Sequence, residues 1–195
     1  DKTISYYDDN AKKFYNNTVN IDLGEFYSHF LQYIPDGGTI LDLGCGSGRD
    51  SLYFLQHGYG VTSIDASEEM VRLSSELTNN KTFCMRIEDI EFQNKFDGIW
   101  ACASLLHIDK KLTENVFINL GNALKNNGIL YASYKYGTGT CILEERYYNN
   151  YDEISFGAVI DNIDNLEIST NWITKDLRPD RDDEKWLNII MKKIV

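Results

Sequence analysis

The stretch LDLGCGSGRD at residues 41–50 carries three residue types that together could hold a ligand. Gly44, Gly46 and Gly48 alternate with small side chains. Such bare backbone lets main-chain N–H groups and a following helix N-terminus approach a ligand closely. Asp42 stands before the glycines and Arg49 after them. Because a carboxylate suits an ammonium group and a guanidinium suits a carboxylate, the stretch predicts a zwitterionic ligand and not a phosphate.

A second acid follows the next predicted strand, in the run IDAS at residues 64–67. In nucleotide-binding α/β folds, an acid at this place accepts hydrogen bonds from ribose hydroxyls, which is the role we expect for Asp65. The alternative role, capping the next helix, falls to Ser67, since serine is a preferred N-cap residue. An amino-acid end and a ribose in one ligand predict S-adenosylmethionine.

These residues must be positioned by alternating strands and helices. Apolar runs and turn signals predict strands at 39–43, 60–64, 82–87, 96–101, 128–134, 166–174 and 185–192, and helices at 6–15, 25–33, 49–57, 67–77, 111–124 and 151–160. Strands that alternate with helices predict an α/β fold with a parallel sheet. The last two strands are joined without a helix of useful length, so we expect them to pair antiparallel.

Composition sets the broad class. A chain of 195 residues with 43% hydrophobic content is enough for one well-packed domain. The net charge of −11 disfavours nucleic acid at long range. No apolar run could span a bilayer and the first residues contain no signal-peptide core, which predicts a soluble cytoplasmic protein. Four widely spaced cysteines, at positions 45, 84, 102 and 141, predict buried reduced thiols and no metal site.

Four segments carry a resemblance to a known family: LDLGCGSGRD, SIDAS, FDGIWACASLLHI and LKNNGILYASYKYG, which occur in that order between about residues 39 and 136. They resemble the motifs of class I S-adenosylmethionine-dependent methyltransferases, most closely the small bacterial, tellurite-resistance-like type. The resemblance implies a Rossmann-like, doubly wound seven-stranded sheet with order 3-2-1-4-5-7-6, an antiparallel strand seven and helices on both faces. It implies one domain over 1–195, with a helical lid at 1–35, a cofactor-binding core at 36–136 and a substrate-side insertion with the last strands at 137–195.

The resemblance also implies which residues surround the cofactor. The methionine end would meet Asp42, Gly44, Cys45, Gly46, Gly48 and Arg49, together with Ala101 and Cys102 after the fourth strand. Asp65 would hold the ribose, with Ala66, Met70 and Ile87 beside the adenine. The adenine amino group would meet either Glu88 or Asp89, a choice the sequence leaves open. From the lid, Tyr7 or Tyr15 would contact the ligand, unless that helix only packs on the sheet.

The acceptor side offers fewer signals. His107 follows the fourth strand, where an imidazole could take a proton near neutral pH, or could simply cap the next helix. Tyr134, Lys135 and Arg146 are candidates for binding an anionic substrate within aromatic walls, although solvated surface charge is the alternative. The charge run at 178–184 is typical of a solvated turn, and we expect Trp186 in the core.

Several functions remain compatible with these residues. Because no RNA-binding module or basic stripe is evident, we expect methyl transfer to a small molecule, although an RNA, protein, metalloid or halide acceptor stays open. A non-catalytic module that only binds the cofactor is a further alternative. A nicotinamide oxidoreductase is disfavoured, because the loop lacks the third glycine of the G-x-G-x-x-G fingerprint and Asp42 would repel a pyrophosphate. The oligomeric state is not indicated.

Overall fold

We describe the protein from a computed structural model, which covers residues 1–179, 181 and 183–194. The helices are α1 (Lys2–Thr18), α2 (Gly24–Leu31), α3 (Arg49–Gln56), α4 (Glu68–Thr78), α5 (Thr113–Ala123) and α6 (Glu153–Ile160). The strands are β1 (Thr39–Leu43), β2 (Gly60–Asp65), β3 (Thr82–Cys84), β4 (Phe96–Ala101), β5 (Leu124–Lys135), β6 (Gly139–Leu143), β7 (Arg146–Asn150), β8 (Leu166–Lys175) and β9 (Lys185–Lys193).

Seven of these strands form the central sheet, in the order β3-β2-β1-β4-β5-β9-β8. The first five pair in parallel, whereas β9 runs antiparallel to both β5 and β8. The labels differ from the predicted 3-2-1-4-5-7-6 because β6 and β7 form a separate hairpin. Counted within the sheet alone, β8 and β9 are its sixth and seventh strands. The predicted α/β fold class is confirmed.

The sheet separates two apolar cores because successive side chains of a strand point to opposite faces. Within β4, Ile99 and Ala101 pack into one core, whereas Trp100 packs into the other. The first core includes Phe117 of α5 and other residues of α5 and α6. The second includes Phe30 of α2 and residues of α3. The predicted arrangement of helices on both faces is therefore present.

The β6–β7 hairpin was not predicted. Its two-residue turn consists of Glu144 and Glu145, with φ angles of 49° and 65°. Tight hairpins require such positive φ angles and are normally recognised by Asn-Gly or Asp-Gly pairs. Because two glutamates replace that signal, the sequence pattern gave no turn here. The hairpin lies between β5 and α6 and brings Arg146 to the carboxyl edge of the sheet.

Three smaller predictions also need correction. The third strand ends at Cys84, and Ile87–Asp89 forms a short 3-10 turn in place of the predicted strand. The fifth strand was predicted at 128–134 but begins at Leu124, and Asn127 within it has a φ of 63° where the register with β4 shifts. The four cysteines are free thiols, but Cys84 and Cys141 are exposed and not buried. None of the helices within the described ranges has the length and apolar character needed to cross a membrane.

Candidate active site

An elongated cleft of about 260 Å³ lies at the carboxyl edge of the parallel strands, with α1 along one side. This is the edge at which open α/β sheets bind their ligands. Fourteen of the predicted site residues line the cleft: Tyr7, Gly44, Cys45, Gly46, Arg49, Asp65, Ala66, Met70, Ile87, Glu88, Cys102, His107, Lys135 and Arg146. Six others do not: Tyr15, Asp42, Gly48, Asp89, Ala101 and Tyr134.

The glycine loop is shaped by backbone that only glycine adopts easily. Gly44 has a φ of 70°, and a Cβ built on it would lie 2.5 Å from the Cβ of Ser104. The N–H groups of Gly44 and Cys45 both donate to the carbonyl of Ile64, at 3.0 and 2.9 Å. Ser104 itself lines the cleft, and its buried Oγ has no hydrogen-bond partner among the described residues. The loop is therefore held against β2 by its own N–H groups and packs closely on Ser104, whose hydroxyl has no partner among the described residues.

Asp65 ends β2 and faces the cleft. Its Oδ2 accepts from the N–H of Gly46 at 2.8 Å and its Oδ1 from the N–H of Ser67 at 2.9 Å. Burial raises the pKa of this carboxyl, while the backbone N–H donors oppose the rise. Since each carboxylate oxygen has two lone-pair sites, both oxygens can still accept a hydroxyl from a ligand.

Asp42 does not reach the cleft, contrary to the prediction from the sequence. It is only 2% exposed, and Ser51 Oγ donates to its Oδ2 at 2.6 Å. Burial and the neighbouring negative charge of Asp50 raise the pKa of Asp42. Its position in the middle of β1 points the carboxyl under α3, where a ligand ammonium cannot contact it.

Arg49 lines the cleft, but its guanidinium already has partners. Nε donates to Asp50 Oδ1 at 2.6 Å, and the two terminal nitrogens donate to Asp50 Oδ2 and to the carbonyl of Thr18. The predicted pairing of Arg49 with a ligand carboxylate would therefore compete with a buried ion pair. Its neighbour Asp50, which the sequence analysis did not single out, is the acid that orders this part of the site.

Asp50 gathers four hydrogen bonds in the protein interior. Besides the two from Arg49, Tyr27 Oη donates at 2.6 Å and Trp100 Nε1 at 2.8 Å. Burial raises the pKa of Asp50, but the Arg49 charge and these donors outweigh burial and hold that pKa below its usual value. The carboxylate thus ties α3 to α2 and β4 directly beneath the glycine loop.

The other side of the cleft is mostly apolar. Ala66, Met70 and Ile87 line it, and Glu88 stands beside them. Glu88 accepts a hydrogen bond from Arg86 at 3.3 Å. Of the two acids that the sequence left open for the adenine amino group, Glu88 lines the cleft and Asp89 does not.

Helix α1 is tied to both sides of the cleft. On the side of the cleft that carries Asp65, Ser67 Oγ donates to the carboxylate of Asp8 at 2.6 Å. The same hydroxyl caps α4, because it accepts a hydrogen bond from the N–H of Met70. On the far side, the N–H of Tyr147 donates to Thr3 Oγ1 at 3.1 Å. Of the two lid tyrosines considered, Tyr7 faces the cleft and Tyr15 does not.

Tyr7 and His107 form a hydrogen-bonded pair that lines the cleft. Nδ1 of His107 lies 2.7 Å from the carbonyl oxygen of Tyr147, and Nε2 lies 2.9 Å from Tyr7 Oη. A carbonyl can only accept, so Nδ1 carries the proton and Nε2 accepts from the tyrosine. Burial lowers the pKa of His107 to about 4, with the Arg146 and Lys135 charges acting in the same direction. The imidazole is therefore neutral at pH 7.

The predicted acceptor residues separate into two groups. Lys135 and Arg146 line the cleft, whereas Tyr134 is 1% exposed and packs against Tyr151 and Phe156. The reason is the two-residue period of β5: alternate positions 131, 133 and 135 line the cleft, and Tyr134 points to the opposite face. Tyr134 therefore belongs to the core and not to the substrate site.

Several cleft residues were not identified as site residues from the sequence. They are Thr3, Ser104, Arg178, Trp186 and Asn188, all of which line the cleft. Arg178 belongs to the run interpreted as a solvated turn, of which Asp180 and Asp182 lie outside the described residues. Trp186 was expected in the core, but it reaches the cleft because the antiparallel pairing sets it opposite Lys135. Among the described residues, no three His, Cys, Asp or Glu side chains are grouped so that they could hold a metal.

The chain resembles known proteins in sequence and in fold. A family model described as "Methyltransferase domain" matches residues 40–128. YqeM of Bacillus subtilis (strain 168), which is named as a methyltransferase, is 31% identical over 104 residues. That alignment covers 50% of this chain and 42% of YqeM, so the chain spans less than half the length of this curated relative.

Solved structures match nearly the whole chain at low identity. Burkholderia thailandensis 1,6-didemethyltoxoflavin-N1-methyltransferase, crystallised with 1,6-didemethyltoxoflavin and S-adenosylhomocysteine, has a TM-score of 0.80 at 18% identity over 98% of this chain and 85% of that one. TehB from Haemophilus influenzae has a TM-score of 0.74 at 21% identity over 96% of this chain and 67% of that one. These likenesses show a shared fold, and the family model covers β1 to β4, whose carboxyl ends carry the glycine loop and Asp65. The comparisons support the resemblance to class I S-adenosylmethionine-dependent methyltransferases that the motifs indicate.

Proposed function

We propose that the protein transfers a methyl group from S-adenosylmethionine to a small-molecule acceptor and releases S-adenosylhomocysteine. The observation that carries the proposal is one continuous cleft, which runs from the glycine loop and Asp65 to the pair formed by Tyr7 and His107. The first part suits a cofactor and the second part suits an acceptor. The placement of both groups at one sheet edge is what a transfer between them requires.

The residues at the first part of the cleft fit S-adenosylmethionine. Gly44 lies so close to Ser104 that a Cβ would meet it at 2.5 Å, the Oγ of Ser104 is buried there without a partner among the described residues, and Asp65 keeps free acceptor capacity. We propose that Asp65 holds the ribose and that the backbone at 44–46 and Ser104 hold the amino-acid end. The adenine would lie among Ala66, Met70, Ile87 and Glu88.

Methyl transfer is an in-line displacement, so its main demand on the protein is alignment. When bound, S-adenosylmethionine supplies a methyl group made electrophilic by a sulfonium. The chain contributes a fixed cradle for one reactant and a walled chamber that excludes water from the other. Helix α1, with its hydrogen bonds on both sides of the cleft, closes the chamber, and we propose that residues 1–35 act as this cover.

His107 is better suited to positioning than to proton removal. General bases work best with a pKa near the working pH, whereas burial lowers the pKa of His107 to about 4. Its Nε2 lone pair is already used by the hydroxyl of Tyr7. We propose that His107 fixes Tyr7, and through it α1, against the reacting groups. This revises the sequence-based hypothesis that His107 is the catalytic base.

A small acceptor is favoured over a macromolecule by the shape of the site. Helix α1 and the β6–β7 hairpin stand over the acceptor end of the cleft, and Tyr147 of the hairpin bonds to Thr3 of the helix. An RNA or a protein segment would have to displace them. The Burkholderia thailandensis enzyme named above was crystallised with a small heterocycle, which accords with a small acceptor here.

Calorimetric titration with S-adenosylhomocysteine, with NADH in parallel, tests the proposal. We expect S-adenosylhomocysteine to bind with micromolar affinity and Asp65→Ala to weaken it by ~10-fold or more, because the ribose hydroxyls lose their acceptor. Asp36→Ala removes an exposed carboxylate in the turn before β1 and is the matched control. Heat from NADH and none from S-adenosylhomocysteine would replace the methyltransferase proposal with a dehydrogenase.

A further inference from the structure

We propose that the methyl acceptor is a flat organic acid whose anionic group binds Arg146. The inference deepens the proposed function, on which it rests, by naming the chemical class of the acceptor. It is carried by the surroundings of Arg146, by the distribution of charge along the cleft and by the aromatic walls around it.

Arg146 is an unusually buried cation at the start of β7. It is 7% exposed and lines the cleft. One terminal nitrogen donates to Glu144 Oε2 at 2.6 Å, but Nε is buried without a hydrogen-bond partner among the described residues. Glu144 lies on the outer turn of the hairpin with a largely exposed side chain. Because solvent weakens such a pair, Arg146 keeps much of its charge for a ligand inside the cleft.

Aromatic rings hold the guanidinium in place. Its carbon lies 4.2 Å from the ring centroid of Tyr6, 5.4 Å from that of Tyr148 and 5.9 Å from that of Tyr7. Stacked rings stabilise a guanidinium without satisfying its N–H groups. The arrangement therefore positions a fork-shaped donor, which matches the geometry of a carboxylate or a related oxygen acid.

Charge is distributed unevenly along the cleft. At the cofactor end the lining acids Asp50, Asp65 and Glu88 lie beside the lining cations Arg49 and Arg86. At the acceptor end the lining cations are Lys135, Arg146, Lys175 and Arg178, and Asp176 is the lining acid there. Glu184, which lies outside the lining, accepts from Lys135 at 2.8 Å, and the lining acid Asp176 accepts from Arg178. The chain as a whole has a net charge of −11, so a group of cations at one end of the cleft is a local exception. Such a group favours an anionic acceptor.

The walls of this end indicate a flat molecule. Tyr7, Tyr131, Tyr148 and Trp186 all line it. Aromatic side chains favour planar partners, which they contact face-on or edge-on over a large area. An anionic acceptor also agrees with the chemistry of the site, because burial raises the pKa of Cys102 to about 12 and lowers that of His107 to about 4. Neither group would take a proton from a neutral acceptor at pH 7.

Matched pairs of acids and amides test the inference. The protein is saturated with S-adenosylhomocysteine and titrated with benzoate and benzamide, and with 2-naphthoate and 2-naphthamide, while its tyrosine and tryptophan fluorescence is followed. Each pair has nearly the same shape and differs in charge. We expect each acid to bind at least ~10-fold more tightly than its amide, as a charge-assisted, bidentate contact implies. Equal or weaker binding of both acids overturns the inference.

Variants then assign the effect to Arg146. Arg146→Gln should abolish the preference for the acids and leave the affinity for S-adenosylhomocysteine unchanged. Arg72→Gln removes an exposed guanidinium on the outer face of α4 and should leave the preference intact. A preference that survives in Arg146→Gln overturns the assignment. If Arg146→Gln does not fold, the comparison of acid with amide on the unsubstituted protein still decides the inference, and Arg146→Lys tests the fork against the charge alone.

The outcomes separate this inference from the proposed function. Binding of S-adenosylhomocysteine without any preference for the acids refutes only the acceptor class. If the unsubstituted protein does not bind S-adenosylhomocysteine at all, the proposed function is refuted.

Discussion

The hydroxyl of Tyr7 lies 2.9 Å from Nε2 of His107, across 100 residues of sequence. This hydrogen bond joins α1 to the short turn that follows β4, and both residues line the cleft. Because Nδ1 of the same imidazole donates to the carbonyl of Tyr147, one side chain connects the N-terminal helix, the central sheet and the β6–β7 hairpin.

The ionisation of His107 gives the first prediction. Its pKa is about 4, lowered from 6.5 mainly by burial. We expect nitrogen-detected NMR to show a neutral imidazole with the proton on Nδ1 at pH 7, titrating near pH 4. His29 and His57 lie on the protein surface and serve as internal references. An Nε2-protonated ring, or a midpoint near 6.5, would contradict the assignment.

The same pKa predicts how stability depends on pH. Since the folded protein binds the His107 proton less readily than the unfolded chain, stability is fully present above about pH 6.5 and falls as the pH approaches 4. The shift corresponds to ~3 kcal/mol over that window. Urea unfolding at several pH values measures this decline in the free energy of unfolding. In His107→Gln, the part of the decline that His107 causes should be absent. An unchanged pH profile would show that His107 does not control it.

Tyr7→Phe should loosen helix α1. The substitution leaves Nε2 of His107 without its donor, and a lost hydrogen bond at a buried group costs ~1–2 kcal/mol. We expect a lower free energy of unfolding and faster amide hydrogen exchange within α1 than elsewhere. Tyr33→Phe, at an exposed ring in the segment before β1, is the control and should change neither quantity. Unaltered exchange in α1 would contradict the proposed fixing of that helix.

Asp50→Asn should destabilise the protein strongly. The change leaves Arg49 buried without its charge partner, and breaking a buried ion pair in this way costs ~3–5 kcal/mol. Because the pKa of Asp50 is held below its usual value, the carboxylate stabilises the fold above about pH 4 and loses that effect as the pH falls. The difference in free energy of unfolding between Asp50→Asn and the unsubstituted protein should therefore become smaller at low pH. Asp36→Asn is the control at an exposed carboxylate. If Asp50→Asn lowers the free energy of unfolding by less than ~1 kcal/mol, the role assigned to Asp50 is contradicted.

Gly44→Ala should damage both the fold and ligand binding. A Cβ there meets Ser104 at 2.5 Å, and a φ of 70° is unfavourable for alanine by ~1–2 kcal/mol. Gly157→Ala is a matched control inside α6, where a Cβ has no neighbour within 4 Å, and it should stabilise the helix by up to ~1 kcal/mol. Thermal unfolding of both variants, with and without S-adenosylhomocysteine, measures the effects. Normal stability and binding in Gly44→Ala would refute the steric argument for this loop.

Features that depend on local sequence were predictable. The alternation of strands and helices follows from apolar runs bounded by turns, whereas the order of the sheet was implied by the family resemblance. The glycine loop and Asp65 lie at strand ends, where α/β folds place their ligands. Features set by distant partners were not predictable. Nothing near Arg49 in the sequence shows that Tyr27 and Trp100 share its acid, Asp50. Likewise, a difference of one residue along β5 separates Lys135 at the cleft from Tyr134 in the core.

The hairpin shows a second limit. Two glutamates at positive φ form its turn, and neither residue type signals such a turn. Without the hairpin, the partners of His107 could not be assigned, because the carbonyl that fixes its tautomer belongs to Tyr147 on β7.

The most direct test of the central claim is a crystal structure of the protein with S-adenosylhomocysteine. The account predicts both ribose hydroxyls on the Asp65 carboxylate, the amino-acid end against the backbone of 44–46 and Ser104, and the sulfur facing the chamber of Tyr7 and Arg146. A ribose bound away from Asp65, or a ligand outside the cleft, would contradict it.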